Sequence, residues 1–342
     1  MPNYLTGKNH KTCNNKIGFL GLFLLGNIFL FSGCHAYTLN SSLATQYHPS
    51  LSARLAKSNN LEPSDIEVKS NHFKANYCNI TFKKMPPSGK YDITPFVNSL
   101  KKLKINSVPV FLHFYIPGGN LTDFLKIPVS SLQLEKTGTN PITFDPDYRV
   151  ANDFPEHSEW DLENWTMDDL RALPGNTPFN ILDIRMAPQE KFDWTFLQKF
   201  PELSVLRLTN ASGFINAEKL AEVNCSLLLN NNKNTVLPKT LNCWSFGIGG
   251  ENVDDSLLSH INPEKLTSLH ISRSSTLQLT QMKRFQQLRR LHIADCHSLG
   301  DLTMFAGMPV LNSLEITNCP VKDVSGITNI RQLRLLYLNG TA

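Results

Sequence analysis

With 342 residues, 41% of them hydrophobic, the chain is long enough for two average domains or one elongated one and too apolar to be disordered. Its formal charge of +4 comes largely from the first 33 residues, which carry Lys8, Lys11 and Lys16 and no acid; without them 30 basic residues face 29 acidic ones. That near-balance gives no electrostatic case for nucleic acid, which would need a basic stripe.

The first element is a leader. A polar, basic opening to Lys16 precedes IGFLGLFLLGNIFLF (17–31), apolar apart from Asn27, and then Ser32, Gly33 and Cys34. The apolar run is shorter than the roughly 20 residues of a membrane-spanning helix and ends in small residues, as a secretory signal does. LFSGC resembles a bacterial lipoprotein signal, with Phe31 where leucine is usual. The resemblance implies removal of residues 1–33, lipid attached to Cys34, and anchoring at the cell envelope, where each buried methylene contributes about 0.8 kcal/mol. The competing reading of the run is a short uncleaved transmembrane anchor. His35 is not the acidic residue associated with retention in the inner membrane, so the resemblance points to the outer membrane or cell surface. Apart from Cys13 and Cys34, five cysteines remain: Cys78, Cys225, Cys243, Cys296 and Cys319. The odd count and the absence of CxxC spacing predict buried free thiols rather than a disulfide framework or a zinc site.

Residues 34–75 are expected to be a flexible tether, because HAYTLNSSLATQYHPSLSARLAKSNN is rich in Ser, Asn, Thr and Ala without sustained periodicity. Residues 76–158 read as degenerate repeats or an N-terminal cap. Within them VSSLQLEKT (129–137) has a repeat-like strand pattern, and DITPFVNSLKKLKI (92–105) suits a return segment.

From 159 to 342 the repeat is explicit. LTSLHISRS (266–274), LRRLHIADC (288–296), LNSLEITNC (311–319) and LRLLYLNGT (333–341) share LxxLx(L/I), and their first leucines recur after 22, 23 and 22 residues. FNILDIRMA (179–187) and LSVLRLTNA (203–211) fit as well; EWDLENW places Trp160 and Leu162 one repeat earlier. CSLLLNNN and LNCWSFGIG fit with distorted spacing, taking Trp244 as the strand's first inward residue. The pattern resembles the leucine-rich repeat, in an internalin-like form that carries cysteine at some Asn/Cys positions. The resemblance implies an α/β solenoid, a curved parallel sheet with short helical or irregular return segments. One repeat cannot bury its own apolar face, so stacking several assembles a continuous core. The chain stops at LYLNGTA without a capping segment, which predicts either a truncated product or self-association through the open end.

In the repeat frame Cys296 and Cys319 take the inward Asn/Cys position, a packing ladder rather than a thiol site. The residue between each pair of inward leucines projects onto the concave face. That slot gives Asp183, Arg207, Leu228, Ser245, His270, His292, Glu315 and Tyr337, with Arg273 and Asp295 one slot further along and placed to pair. The putting-together of His270, His292 and Glu315 raises a metal site, but an ordinary solvated strand face is the preferred reading, so no metal or cofactor is expected. GxSxG, HExxH, GxxxxGK(S/T) and GxGxxG do not occur. DPD (145–147) reads as a turn, and Trp160, Trp165, Trp194 and Trp244 as core. The expectation is a lipid-anchored, non-enzymatic module that recognises a protein or glycan through its concave face. The alternatives are an envelope enzyme with active groups in 76–158 and a truncated structural product without a specific ligand.

Overall fold

The computed structural model describes residues 51–70, 77–102, 111–127, 131–146 and 159–340, except positions 176, 178, 252 and 277. The apolar run 17–31 and Cys34 lie outside the described residues. Among the described residues no helix is long and apolar enough to cross a membrane.

In chain order the strands are β1 (Ile66–Ser70), β2 (Tyr77–Phe82), β3 (Phe111–Ile116), β4 (Gly119–Asn120), β5 (Ser131–Lys136), β6 (Ile142–Thr143), β7 (Glu159–Trp165) and β8 (Ile181–Met186). They continue as β9 (Phe192–Asp193), β10 (Val205–Thr209), β11 (Phe214–Ile215), β12 (Ser226–Asn230), β13 (Ser245–Gly249), β14 (Ser268–Ser272), β15 (Arg290–Ala294), β16 (Ser313–Thr317) and β17 (Leu335–Asn339). Thirteen of them form one sheet in which spatial order follows chain order. Every neighbouring pair in that sheet is parallel except β1 with β2. The short strands β4 and β6 pair within the return segments, as do β9 and β11.

The strand alternation explains the interior. Leu206, Leu208, Leu227, Leu229, Leu269, Ile271, Leu291, Ile293, Leu314 and Ile316 are all buried, and they stack in register with their counterparts on adjacent strands. The return segments supply the opposite wall, with Phe192, Trp194, Phe285 and Phe305 fully enclosed. Trp160 and Trp165 are buried as well, while Trp244 is half-exposed.

The strands β10 and β12 to β17 turn sharply at their ends, each at a residue of positive φ. Asn210, Asn231, Gly250, Arg273, Asp295, Asn318 and Gly340 all have positive φ. Asparagine, aspartate and glycine tolerate this conformation best. The Asp295 amide still donates to the Thr317 carbonyl at 2.9 Å and that of Asn318 to Asn339 at 2.8 Å, so the ladder continues around the bend. One residue later the chain points inward. There the Cys319 Sγ accepts the Cys296 amide at 3.4 Å, as the Asn232 carboxamide oxygen accepts the Ala211 amide at 2.8 Å. Cysteine and asparagine thus serve the same packing position. Cys225, Cys243, Cys296 and Cys319 are free and buried, and burial pushes the Cys225 and Cys243 thiols up to about 12, which leaves them unreactive.

Three sequence expectations require correction. Residues 51–70, expected within the tether, are folded: a helix at 51–58 buries Leu51, Leu55 and Ala56, and β1 closes the edge of the sheet. Asn59, itself buried, locks this segment down by donating to the Leu55 and Asp92 carbonyls and accepting the Asp92 amide. The cap is therefore made from residues before 76, and β2, β3 and β5 extend the parallel array. In β13 the inward residue is Phe246, paired with Leu227 and Leu269, so Gly247 and not Ser245 occupies the outward slot. Trp244 instead sits ahead of the strand, its carbonyl accepting the Thr267 and Ser268 amides. The Asp295 carboxylate accepts from the Asn318 side chain at 3.0 Å, a partner in place of the expected Arg273.

Between β5 and the helix Met167–Ala172 lies an interior ion pair. The Lys136 ammonium is 2.6 Å from the Asp169 carboxylate, with side chains 6% and 2% exposed. Asp169 also accepts the amides of Ile142 and Thr166 and the Thr166 hydroxyl. Elsewhere, the first aspartate of DPD ties separate segments together: Asp145 accepts from Lys90 and Asn120, and its amide donates to the Thr122 hydroxyl, while Asp147 lies outside the described residues.

Candidate functional site on the open face of the sheet

The return segments cover one face of the long sheet and leave the outward slots on the other. Register gives the central row of that open face: Asn79, His113, Gln133, Asp161, Asp183, Arg207, Leu228, Gly247, His270, His292, Glu315 and Tyr337. Its chemistry changes along the solenoid.

The N-terminal third is charged. On β7 the outward residues are Glu159, Asp161 and Glu163; β5 adds Glu135, and β8 adds Asp183. Two guanidinium groups serve them. Arg185 is 2.6 Å from Glu163 and 3.7 Å from Asp161, and Arg207 is 2.5 Å from Glu159 and 3.7 Å from Asp183. Burial, followed by the neighbouring Asp183 carboxylate, pushes the Asp161 carboxyl up to about 7. Burial likewise raises Glu135 and Asp183. Asp161 Oδ1 is enclosed and accepts no hydrogen bond. Beside this group the Tyr115 ring stacks on His113, with centroids 4.1 Å apart, and His113 Nε2 lies 3.2 Å from Glu135. Burial holds the His113 imidazole below its usual range.

The middle of the face is closed by its own side chains. A Cβ on Gly247 would strike Leu228, and one on Gly249 would strike Ser272 and Asn230. Glycine here lets the flanking side chains lie over the floor, and every residue of β13 is buried.

Further along, His270 and His292 are brought together. Their Nδ1 atoms are 2.9 Å apart, with rings edge to face. Such a contact needs one imidazole to donate and the other to accept. Burial, with His292 beside it, lowers His270 to about 3, and burial also lowers His292 against the pull of Glu315. Glu315 is the next residue in register and Tyr337, 41% exposed, the one after. Each Nδ1 is thus committed to the other ring, and among the described residues no three His, Cys, Asp or Glu side chains are arranged to hold a metal ion. Arg273 and Asp295 stand at the rim as left-handed strand-ending residues.

Of the sequence-derived row, Asp183 and Arg207 fall in the charged third, while His270, His292, Glu315 and Tyr337 form a separate group. Sequence reasoning missed Glu135, Glu159, Asp161, Glu163 and Arg185. The signal was present: Asp161 stands between Trp160 and Leu162, the two inward residues by which that repeat was recognised.

A parallel sheet in chain order, inward leucines at near-constant spacing, left-handed strand exits and short 3-10 returns define an α/β leucine-rich-repeat solenoid. No family model matches the sequence, and no curated protein matches it. Among solved structures the chain is similar to an internalin C2 from Listeria monocytogenes strain 4b F2365, at 16% identity over 67% of this chain and 80% of that one, with a TM-score of 0.33. The fold assignment accordingly rests on the chain's own register and packing.

Proposed function

We propose that this chain is an exported lipoprotein, cleaved before Cys34 and held at the cell envelope by lipid on that residue, whose solenoid is a non-enzymatic binding module for a protein or glycan. The observation that carries the binding role is the charged third of the open face. Five carboxylates on three neighbouring strands are held partly out of water, and the two guanidinium groups within reach do not relieve them all. Burial raises three of the five, Asp161, Glu135 and Asp183, and carboxylates held so on an open face are candidates for contact with a partner. The lipid anchor is supported by LFSGC and the apolar run before it.

Two experiments test the two halves. Palmitate supplied to expressing cells is expected to label the chain and to leave Cys34→Ala unlabelled; label retained by Cys34→Ala contradicts the anchor. For binding, the Cys34→Ala chain is used as bait in envelope extract. Capture of a discrete partner is expected, and reversing Glu135 and Glu163 to lysine is expected to reduce it at least ten-fold with melting unchanged within a few degrees. Equal capture by the reversed form would place binding elsewhere.

A further inference from the structure

Resting on that binding role, we infer that the strip of the open face from β3 to β10 docks a cationic protein segment, its lysine or arginine side chains lying along the row of carboxylates. Charge complementarity carries the inference. Five carboxylates face two guanidinium groups, and both guanidinium groups are already engaged in ion pairs. Glu135 has His113, whose imidazole burial holds below its usual range, on one side and the Glu163 carboxylate next in register on the other. Asp161 has one oxygen without a donor. The face is therefore short of positive charge at defined positions, and Asp161 meets the shortage by retaining a proton toward neutrality.

The arrangement selects among cations. Glu135, Glu163 and Arg185 are consecutive in register, as are Gln133, Asp161 and Asp183, so the carboxylates are spaced by the separation of strands, about 4.8 Å, rather than converging on one point. A row of that kind suits several basic side chains of one segment better than a single metal ion. At its N-terminal end Tyr115, half-buried and stacked on His113, offers an aromatic surface beside Glu135, and an ammonium or guanidinium group gains from carboxylate and ring together. Docking a cation favours the ionised form of Asp161, so binding releases a proton. The groups facing Asp161 are Gln133 and Glu135 on β5, Glu159 and Glu163 on its own strand, Asp183 and Arg185 on β8 and, beyond them, Arg207 on β10.

The test uses the Cys34→Ala chain and a fluorescein-labelled hexalysine peptide, with hexaglutamate as control, read by anisotropy in low salt. Saturable hexalysine binding is expected, tightening between pH 5 and pH 8. Glu135→Gln with Asp161→Asn should weaken it at least ten-fold and flatten its pH dependence. Glu218→Gln with Glu222→Gln, which removes the same charge from an exposed return segment, should change it less than two-fold. Equal weakening by both pairs, or no saturable binding, overturns the inference. If the Glu135→Gln, Asp161→Asn form still captures the envelope partner undiminished, the cationic segment is refuted and the binding role stands. If neither form captures anything, the binding role itself fails.

Discussion

Asp169→Ala is expected to destabilise the fold by about 3–5 kcal/mol, the range for breaking a buried ion pair by removing one partner. The substitution leaves the Lys136 ammonium enclosed with its counter-charge gone, and it strips the Ile142 and Thr166 amides of their acceptor. Despite burial, the Lys136 hydrogen bond and these amides hold the Asp169 carboxyl below its usual range. A carboxyl with a lowered folded pKa contributes stability that is complete above its unfolded value, 3.8, and is lost as pH falls toward the folded value. The deficit of Asp169→Ala should therefore be full at neutral pH and shrink below about pH 4. Lys136→Met combined with Asp169→Leu should recover part of the loss, because no charge is then stranded; the amides still lack an acceptor, so recovery is incomplete. Urea denaturation of the three forms measures this, and a loss under about 1 kcal/mol for Asp169→Ala would refute the pair's structural role.

Asp161→Asn should have the opposite effect and stabilise the protein. The carboxyl titrates near 7 when folded against 3.8 when unfolded, so between those values the folded state holds the proton more tightly. Stability then falls as pH rises through the window, and the whole deficit is present above it. Asparagine carries no charge and escapes this cost, although it gives up the attraction of Arg185, 3.7 Å away. The expected gain above pH 7 is about 1–3 kcal/mol, vanishing near pH 4. The histidine pair slopes the other way. Imidazoles whose folded pKa is depressed contribute stability above the unfolded value of 6.5 that is lost as pH falls below it. The parent protein is thus penalised on the acidic side by His270 and His292 and on the neutral side by Asp161, and the substitution removes only the second penalty.

The solenoid was legible in the sequence because its signal is local and repeated. Leu266, Leu288, Leu311 and Leu333 recur at nearly one spacing, and each is followed by the same inward pair. Where one repeat departs from the pattern, the reading slipped: Leu241 offers a false start, and only pairing shows that Cys243 takes the first inward position and Phe246 the next. The helix at 51–58 was missed because two turns of Leu51, Leu55 and Ala56 give too short a periodicity to outweigh the polar residues around them. The site was legible in part. A row through the outward slots follows from the repeat, so the positions of Asp183, Arg207, His270, His292, Glu315 and Tyr337 on one face could be read in advance. That Asp161 lies against Asp183 out of water, that His270 and His292 turn toward each other, and that Leu228 covers Gly247 depend on side-chain direction and desolvation, which a one-dimensional pattern does not carry.

In this reading the charged third of the open face is kept for a partner at a cost to the fold. This is tested most directly by melting and partner capture measured on one preparation of Asp161→Asn at pH 8, beside its parent. Asp161→Asn is expected to melt higher and to capture less; a lower melting temperature with capture unchanged would show that Asp161 is a structural residue and contradict that reading.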